Sequence, residues 1–308
     1  MFISPRLLSE TMIGELKMFN KNFVVDLLNF GLQYPVDKEL KPVDIFVLRN
    51  EHLIIIERDR LTLVDSDFIY VRELHSLNDI PLNISGIALD DEEKRLYLSD
   101  FKNIIFMTDL DLRYIKHFDR EFCSYYDFHY LSSVCFKNSL LFVCDVNANR
   151  IDIFNRSLTS LRFIQIDNPW KVKVSDTMLC VLSDKKLSFY DLERFLLAKT
   201  VRTDICNISE INSQFYCINS ETKLVECYDG DGELKEVLYL QGFVREALKK
   251  QNHVRCCDGI FVQMKEKLLM ISCVLKRIVV FHANSELVNN LKATSTYRPR
   301  IRPEQRSC

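Results

Sequence analysis

The chain has 308 residues, with 41 basic against 43 acidic side chains, a formal net charge of −2, and 47% hydrophobic residues. That apolar share can bury a sizeable core and excludes a disordered chain, while the charge balance gives no global attraction to nucleic acid or anionic membrane. Only 7 Gly and 7 Pro leave little flexible linker, and 21 Phe with 12 Tyr favour strands.

The first residues, Met1-Phe2-Ile3-Ser4-Pro5-Arg6, lack the basic end and sustained apolar stretch of a secretory leader. No apolar run approaches the ~18 residues of a membrane helix. Residues 1–42 form an N-terminal segment in which Phe23–Leu28 is strand-like. From residue 43 a unit recurs six times. Its members begin at Val43-Asp44-Ile45, Ser85-Gly86-Ile87, Ser132-Ser133-Val134, Trp170-Lys171-Val172, Cys206-Asn207-Ile208 and Asp258-Gly259-Ile260. Each has a short strand, a polar turn, and a stronger apolar strand such as Leu96-Tyr97-Leu98 or Leu141-Phe142-Val143, usually ending in Asp or Asn. A third strand follows in most units, as in Arg150-Ile151-Asp152-Ile153-Phe154, and then a weaker fourth, as in Leu161-Arg162-Phe163. Four short strands at a period of about 40 residues predict an all-β chain whose units are the antiparallel blades of a β-propeller. A β-sandwich would also give many short strands, but not one unit order repeated in sequence. The expected architecture is a six-bladed propeller over 43–282, its ring closed by Phe23–Leu28 as the outer strand of the last blade. The best helical pattern, Gln241 to Gln251, lies between blades, and residues 283–308 read as a basic tail expected to be disordered.

Chemistry is sparse. The 11 cysteines form no C-x-x-C pair, and most sit in apolar runs such as Leu141-Phe142-Val143-Cys144. Reduced thiols used as small hydrophobes suit the cytoplasm better than an oxidising compartment. The six histidines are scattered, with no H-E-x-x-H and no i, i+4 pair. His129, in Tyr125-Tyr126-Asp127-Phe128-His129-Tyr130, reads as a packed residue. No catalytic residue, metal site or cofactor is expected. The strand-ending Asp100, Asp145, Asp184 and Asn219 read as turn residues that accept hydrogen bonds from nearby backbone N–H groups. Asp229-Gly230-Asp231-Gly232-Glu233 lacks the spacing of a calcium-binding loop and reads as a tight turn.

Charge placement carries the functional expectation. Turns between strands two and three share one face with the blade crossings and hold Arg58, Arg60, Lys102, Arg150, Lys185, Lys186, Lys223, Lys276 and Arg277. With Trp170 and Lys171 these form a mildly basic candidate binding face. The opposite rim is acidic, with Asp90, Asp91, Glu92 and Glu93 among its turns.

Ser85-Gly86-Ile87-Ala88-Leu89-Asp90 with Leu96-Tyr97-Leu98-Ser99-Asp100, and Asp145-Val146-Asn147-Ala148-Asn149-Arg150-Ile151-Asp152-Ile153-Phe154, resemble NHL repeats. The likeness implies a six-bladed propeller similar to that of TRIM-NHL proteins. The glycine before strand one is kept at Gly86 and Gly259, but Asp44, Ser133, Lys171 and Asn207 replace it elsewhere. No closely spaced Cys/His ligand set for a RING or B-box is present. Three functions follow: a non-catalytic platform for a protein partner, single-stranded RNA binding on the basic face as the resemblance implies, and a hydrolase or lyase with a channel metal. The first is the expectation, with no membrane partner. RNA binding would want aromatics beside the cations, for which Trp170, Tyr125, Tyr126 and Tyr130 are available.

Overall fold

The computed structural model describes residues 23–28, 42–48, 50, 52–65, 70–119, 128–184, 186–202, 204–219, 221, 225–238, 261–264, 267–272 and 277–283. The expected helix at 241–251, the tail from 284 and the chain before Phe23 lie outside these residues.

Strand β1 spans Phe23–Leu28. The first sheet in the chain is β2 (Pro42–Val47), β3 (Leu53–Glu57), β4 (Arg60–Val64) and β5 (Tyr70–Leu74), followed by a small hairpin of β6 (Ser76–Leu77) and β7 (Ile80–Pro81). Next come β8 (Ile84–Asp90), β9 (Arg95–Asp100), β10 (Ile104–Asp109) and β11 (Tyr114–Phe118). The third sheet is β12 (Leu131–Lys137), β13 (Leu140–Asp145), β14 (Arg150–Asn155) and β15 (Ser160–Gln165). The fourth is β16 (Lys171–Val174), β17 (Met178–Ser183), β18 (Lys186–Asp191) and β19 (Leu197–Arg202). The fifth is β20 (Ile205–Ile211), β21 (Gln214–Asn219), β22 (Val225–Tyr228) and β23 (Leu234–Leu238). Last are β24 (Phe261–Met264), β25 (Lys267–Ser272) and β26 (Arg277–Ala283), and β1 pairs antiparallel with β26 from Phe23↔Ala283 to Leu28↔Ile278.

Apart from the β6–β7 hairpin, each sheet among the described residues has four antiparallel strands, and these sheets stack face to face as the blades of a propeller. First strands of neighbouring sheets lie side by side: β2 with β8, β8 with β12, β12 with β16, β16 with β20, β20 with β24, and β24 with β2. The second strands are apolar because neighbours cover both of their faces. Every residue of β3 and of β17 is buried. The fourth strands, in contrast, are largely exposed, as in β15 and β19. The core is therefore a series of layers between blades. Ile54, Ile56, Leu96, Leu98 and Phe106 fill the layer between the first and second sheets, and Tyr97, Ile105, Leu141, Val143 and Phe154 the next. Each such side chain contributes roughly 1.5–3 kcal/mol by leaving water.

Two local devices shape the blades. At four hairpins joining strands three and four, Asp109, Asn155, Asp191 or Asp229 accepts backbone N–H bonds from the turn, such as those from Ser157 and Thr159 to Asn155 Oδ1. The turn then needs a left-handed residue, supplied by Leu112, Leu158 and Phe195 at φ 61°, 59° and 57° and by Gly232 at 74°. A left-handed leucine costs ~1–2 kcal/mol, but Leu112 and Leu158 bury their side chains in the blade core, which offsets that strain. Gly232 has no such choice, because a Cβ there would lie 2.8 Å from the buried Phe189 ring. The Asp229–Glu233 stretch is thus a tight turn with left-handed Gly232. The second device is a bulge in the first strand, at Pro42/Asp44, Ile84/Gly86, Leu131/Ser133 and Ile205/Asn207. At Gly86 the backbone of the next blade comes close: an added Cβ would sit 3.1 Å from Val134 N and 3.2 Å from Ser133 Cα.

Candidate ligand-binding face

The aspartates that end the second strands organise one rim of the propeller. Asp100 accepts backbone N–H bonds from Asn83 and Lys102, both at 2.6 Å, and so ties the chain entering β8 to the turn leaving β9. Asp145 does the same in the third sheet, accepting from His129 and Tyr130 at 3.0 and 3.1 Å and from Ala148 at 3.3 Å. Both carboxylates are fully buried. Asn219 Oδ1 accepts from Glu221 N at 3.0 Å, and Asp184 Oδ2 from the Asn168 side-chain amide at 2.6 Å. These residues are turn architecture, and Asp100, Asp145 and Asp184 also tie the chain entering their blade to its own second strand. Burial raises the Asp100 carboxyl above its ordinary range, against the pull of the two amides.

On this rim the clamps hold an arc of aromatic side chains. Phe101 and Tyr130 meet with ring centroids 5.1 Å apart and planes at 36°. Tyr130 and Trp170 follow at 6.3 Å and 78°, and the Arg58 guanidinium lies 5.7 Å from the Phe101 centroid at the other end. The three rings come from three successive sheets and are all partly exposed. Their backbones are fixed: Phe101 N donates to Asn83 O, Tyr130 N to Asp145, and Trp170 N to Leu182 O at 2.8 Å. Arg58 and Lys102 are exposed beside the Phe101 end, and exposed Asp184 and Lys186 follow Trp170 in the fourth sheet.

The structure is similar to the WD40 domain of Neurospora crassa Pan2, with a TM-score of 0.55 at 8% identity over 79% of this chain and 75% of that one. It is also similar to the WD40 β-propeller domain of Doa1, at 0.55 and 11% over 80% and 95%, and to streptogramin B lyase, at 0.59 and 11% over 82% of each. The chain is a β-propeller. At these identities the likeness is one of fold, and neither a family model nor a curated protein sequence matches the chain.

The propeller redistributes the expected cations. Arg58, Lys102 and Lys186 are exposed as expected. Arg60 is not: it is buried, ion-paired with Glu57 and 3.7 Å from Glu73, because it is the first residue of β4 and not part of the turn. Arg150 is also committed, 2.9 Å from Asp152 and 5.9 Å from the Phe163 ring centroid. Lys171 is committed too: its ammonium lies 3.3 Å from Asp44, a residue of β2 in the first sheet. Lys185, Lys223 and Lys276 lie outside the described residues, as do Tyr125 and Tyr126, and of Arg277 only the backbone is described. The acidic rim is likewise internally paired: Arg156 reaches Asp90 and Glu92, and Lys137 reaches Asp176 at 2.7 Å.

His129 is not packed. Its side chain is 49% exposed and its Nδ1 is 3.7 Å from Asp145 Oδ2. Asp152, missed by sequence reasoning, is fully buried, and burial pushes its carboxyl up to about 6 against the pull of Arg150. Phe101 was also missed, although an aromatic directly after the strand-ending Asp100 was a signal, since turn positions are ordinarily polar. Among the described residues no group of three or more His, Cys, Asp and Glu is placed to hold a metal ion, and no helix is long and apolar enough to cross a membrane.

Proposed function

We propose that this chain is a non-catalytic interaction platform that binds a protein partner through the Arg58–Phe101–Tyr130–Trp170 rim. The observation that carries this reading is the arc itself: rigid, partly exposed aromatics with a cation at one end are what interface hot spots are made of. Single-stranded RNA is the second reading, favoured by Arg58 and Lys102 beside the rings. The ring geometry supports it less. Rings in direct contact at 5.1 and 6.3 Å and inclined to each other leave no parallel gap for successive bases. We further propose an NHL-like propeller of six blades, closed by β1, working in the cytoplasm. Supporting this are six four-stranded sheets, the β1–β26 pairing and buried thiols at Cys144, Cys180 and Cys217, which burial raises well above the ordinary range.

The test is affinity capture with the full chain, with and without nuclease, beside the Phe101→Ala/Trp170→Ala double variant. A partner retained after nuclease and lost in the variant is the expected result. Nuclease-sensitive capture would replace this reading with the RNA one, and capture indifferent to the variant would remove the rim from consideration.

A further inference from the structure

We infer that the chain forms a twofold dimer by antiparallel pairing of β15 with β15 of a second copy, on a surface separate from the aromatic rim. As the last strand of its sheet, β15 presents an outer row of backbone N–H and C=O groups with no strand beside it. Another extended strand is what bonds such a row in full, so the edge itself fixes the shape of its occupant. Every blade has an outer edge, and charge sets this one apart. β5, β11, β19 and β23 each carry two ionisable side chains, as Lys199 and Arg202 do on β19, and charge of this kind discourages edge pairing. β15 carries one, Arg162, whose guanidinium lies 4.6 Å from the Phe195 ring centroid of the neighbouring sheet. Among the outer strands with described side chains, β15 is also the one with two large exposed apolar residues on the same face, Leu161 at 53% and Phe163 at 54%.

Charge complementarity selects the second copy. Arg162 is already engaged by Phe195, so the edge has no free charge with which to choose an acidic or basic strand. It fits an uncharged apolar strand, and β15 is itself such a strand. Parallel pairing in register would set Arg162 beside its own copy, and so would an antiparallel pair centred on Arg162; like charges directly opposite are unfavourable. An antiparallel pair with its twofold axis through Phe163 avoids this. It sets Phe163 against its own copy, Leu161 against Gln165 and Arg162 against Ile164, with an aromatic pair at the centre. This pairing is isologous: it consumes both β15 edges and closes at two copies instead of running on as a fibre.

Sedimentation of the full chain in reductant should show a monomer–dimer equilibrium that moves toward dimer with concentration. Phe163→Lys and Phe163→Glu should each be monomeric, because each sets like charges against one another on the axis. An equimolar mixture of the two should recover the dimer. Leu197→Lys, similarly exposed on β19, should leave the parent dimer intact. Leu161→Lys, which adds charge to the same face, should weaken the dimer several-fold and stands in if the Phe163 variants melt early. A chain that stays monomeric at every concentration overturns the inference. So does a dimer indifferent to Phe163→Lys, or a mixture that stays monomeric although each variant melts like the parent. Dimer loss in Phe101→Ala/Trp170→Ala but not in Phe163→Lys would place the second copy on the rim and reject the β15 edge. Nuclease-resistant capture of a partner by a strictly monomeric chain would keep the platform and reject the dimer.

Discussion

Asp152→Asn should change how stability depends on pH. The carboxyl titrates at about 6 in the native state against 3.8 ordinarily, because burial on β14 outweighs the pull of Arg150. Between those values the native state holds a proton that the unfolded chain has already lost. Stability therefore falls as pH rises through this window, by about 1.4 kcal/mol per pH unit and about 3 kcal/mol in all. The contribution is fully present below pH about 4 and lost above about 6. Asparagine keeps an oxygen for the Arg150 Nε–H, which donates to Asp152 Oδ2 at 3.0 Å, but has no proton to lose. Urea unfolding of both proteins at pH 4, 5, 6 and 7 isolates the effect, since all other groups titrate in common. The variant should gain about 3 kcal/mol on the parent between pH 4 and 7, at equal m-value. Parallel curves would show that Asp152 titrates as an ordinary carboxylate and that the burial argument is wrong.

Gly232→Ala should destabilise by roughly 2–4 kcal/mol, combining left-handed strain with overpacking against Phe189, whereas Gly230→Ala should cost less than about 1 kcal/mol; equal denaturation midpoints for the two would refute this. Asp44→Ala should cost about 2 kcal/mol by leaving Lys171 nearly buried without its counter-charge, and Asp44→Leu/Lys171→Met should recover most of it. A double variant no better than the single, by urea denaturation, would mean the pair does not act as a unit. Deleting residues 1–30 should lower the melting temperature, because it unpairs Ile278–Ala283 of β26; an unchanged value would sink closure by β1.

What the sequence determined by itself was the repeat. Runs such as Leu141–Cys144 and Met178–Val181 are continuous apolar strands because blades cover both faces, and a buried strand must show that composition wherever it sits in the chain. Asp100, Asp145 and Asn219 were legible as turn residues for the same local reason: a short side-chain acceptor bonds backbone N–H groups within a few residues of itself. The face was only partly legible. Arg60, Arg150 and Lys171 looked like free cations, since nothing local shows that Arg60 turns inward to Glu57, that Arg150 lies over Asp152, or that Lys171 spans to Asp44. Trp170 and Tyr130 stood out as available aromatics, but their meeting with Phe101 was hidden, because the three are dozens of residues apart and come together only when three blade entries converge on one rim. Local hydrogen bonding and burial write themselves into sequence as pattern. Which charges are satisfied, and which aromatics share a surface, depends on contacts between blades, and only the tertiary structure decides those.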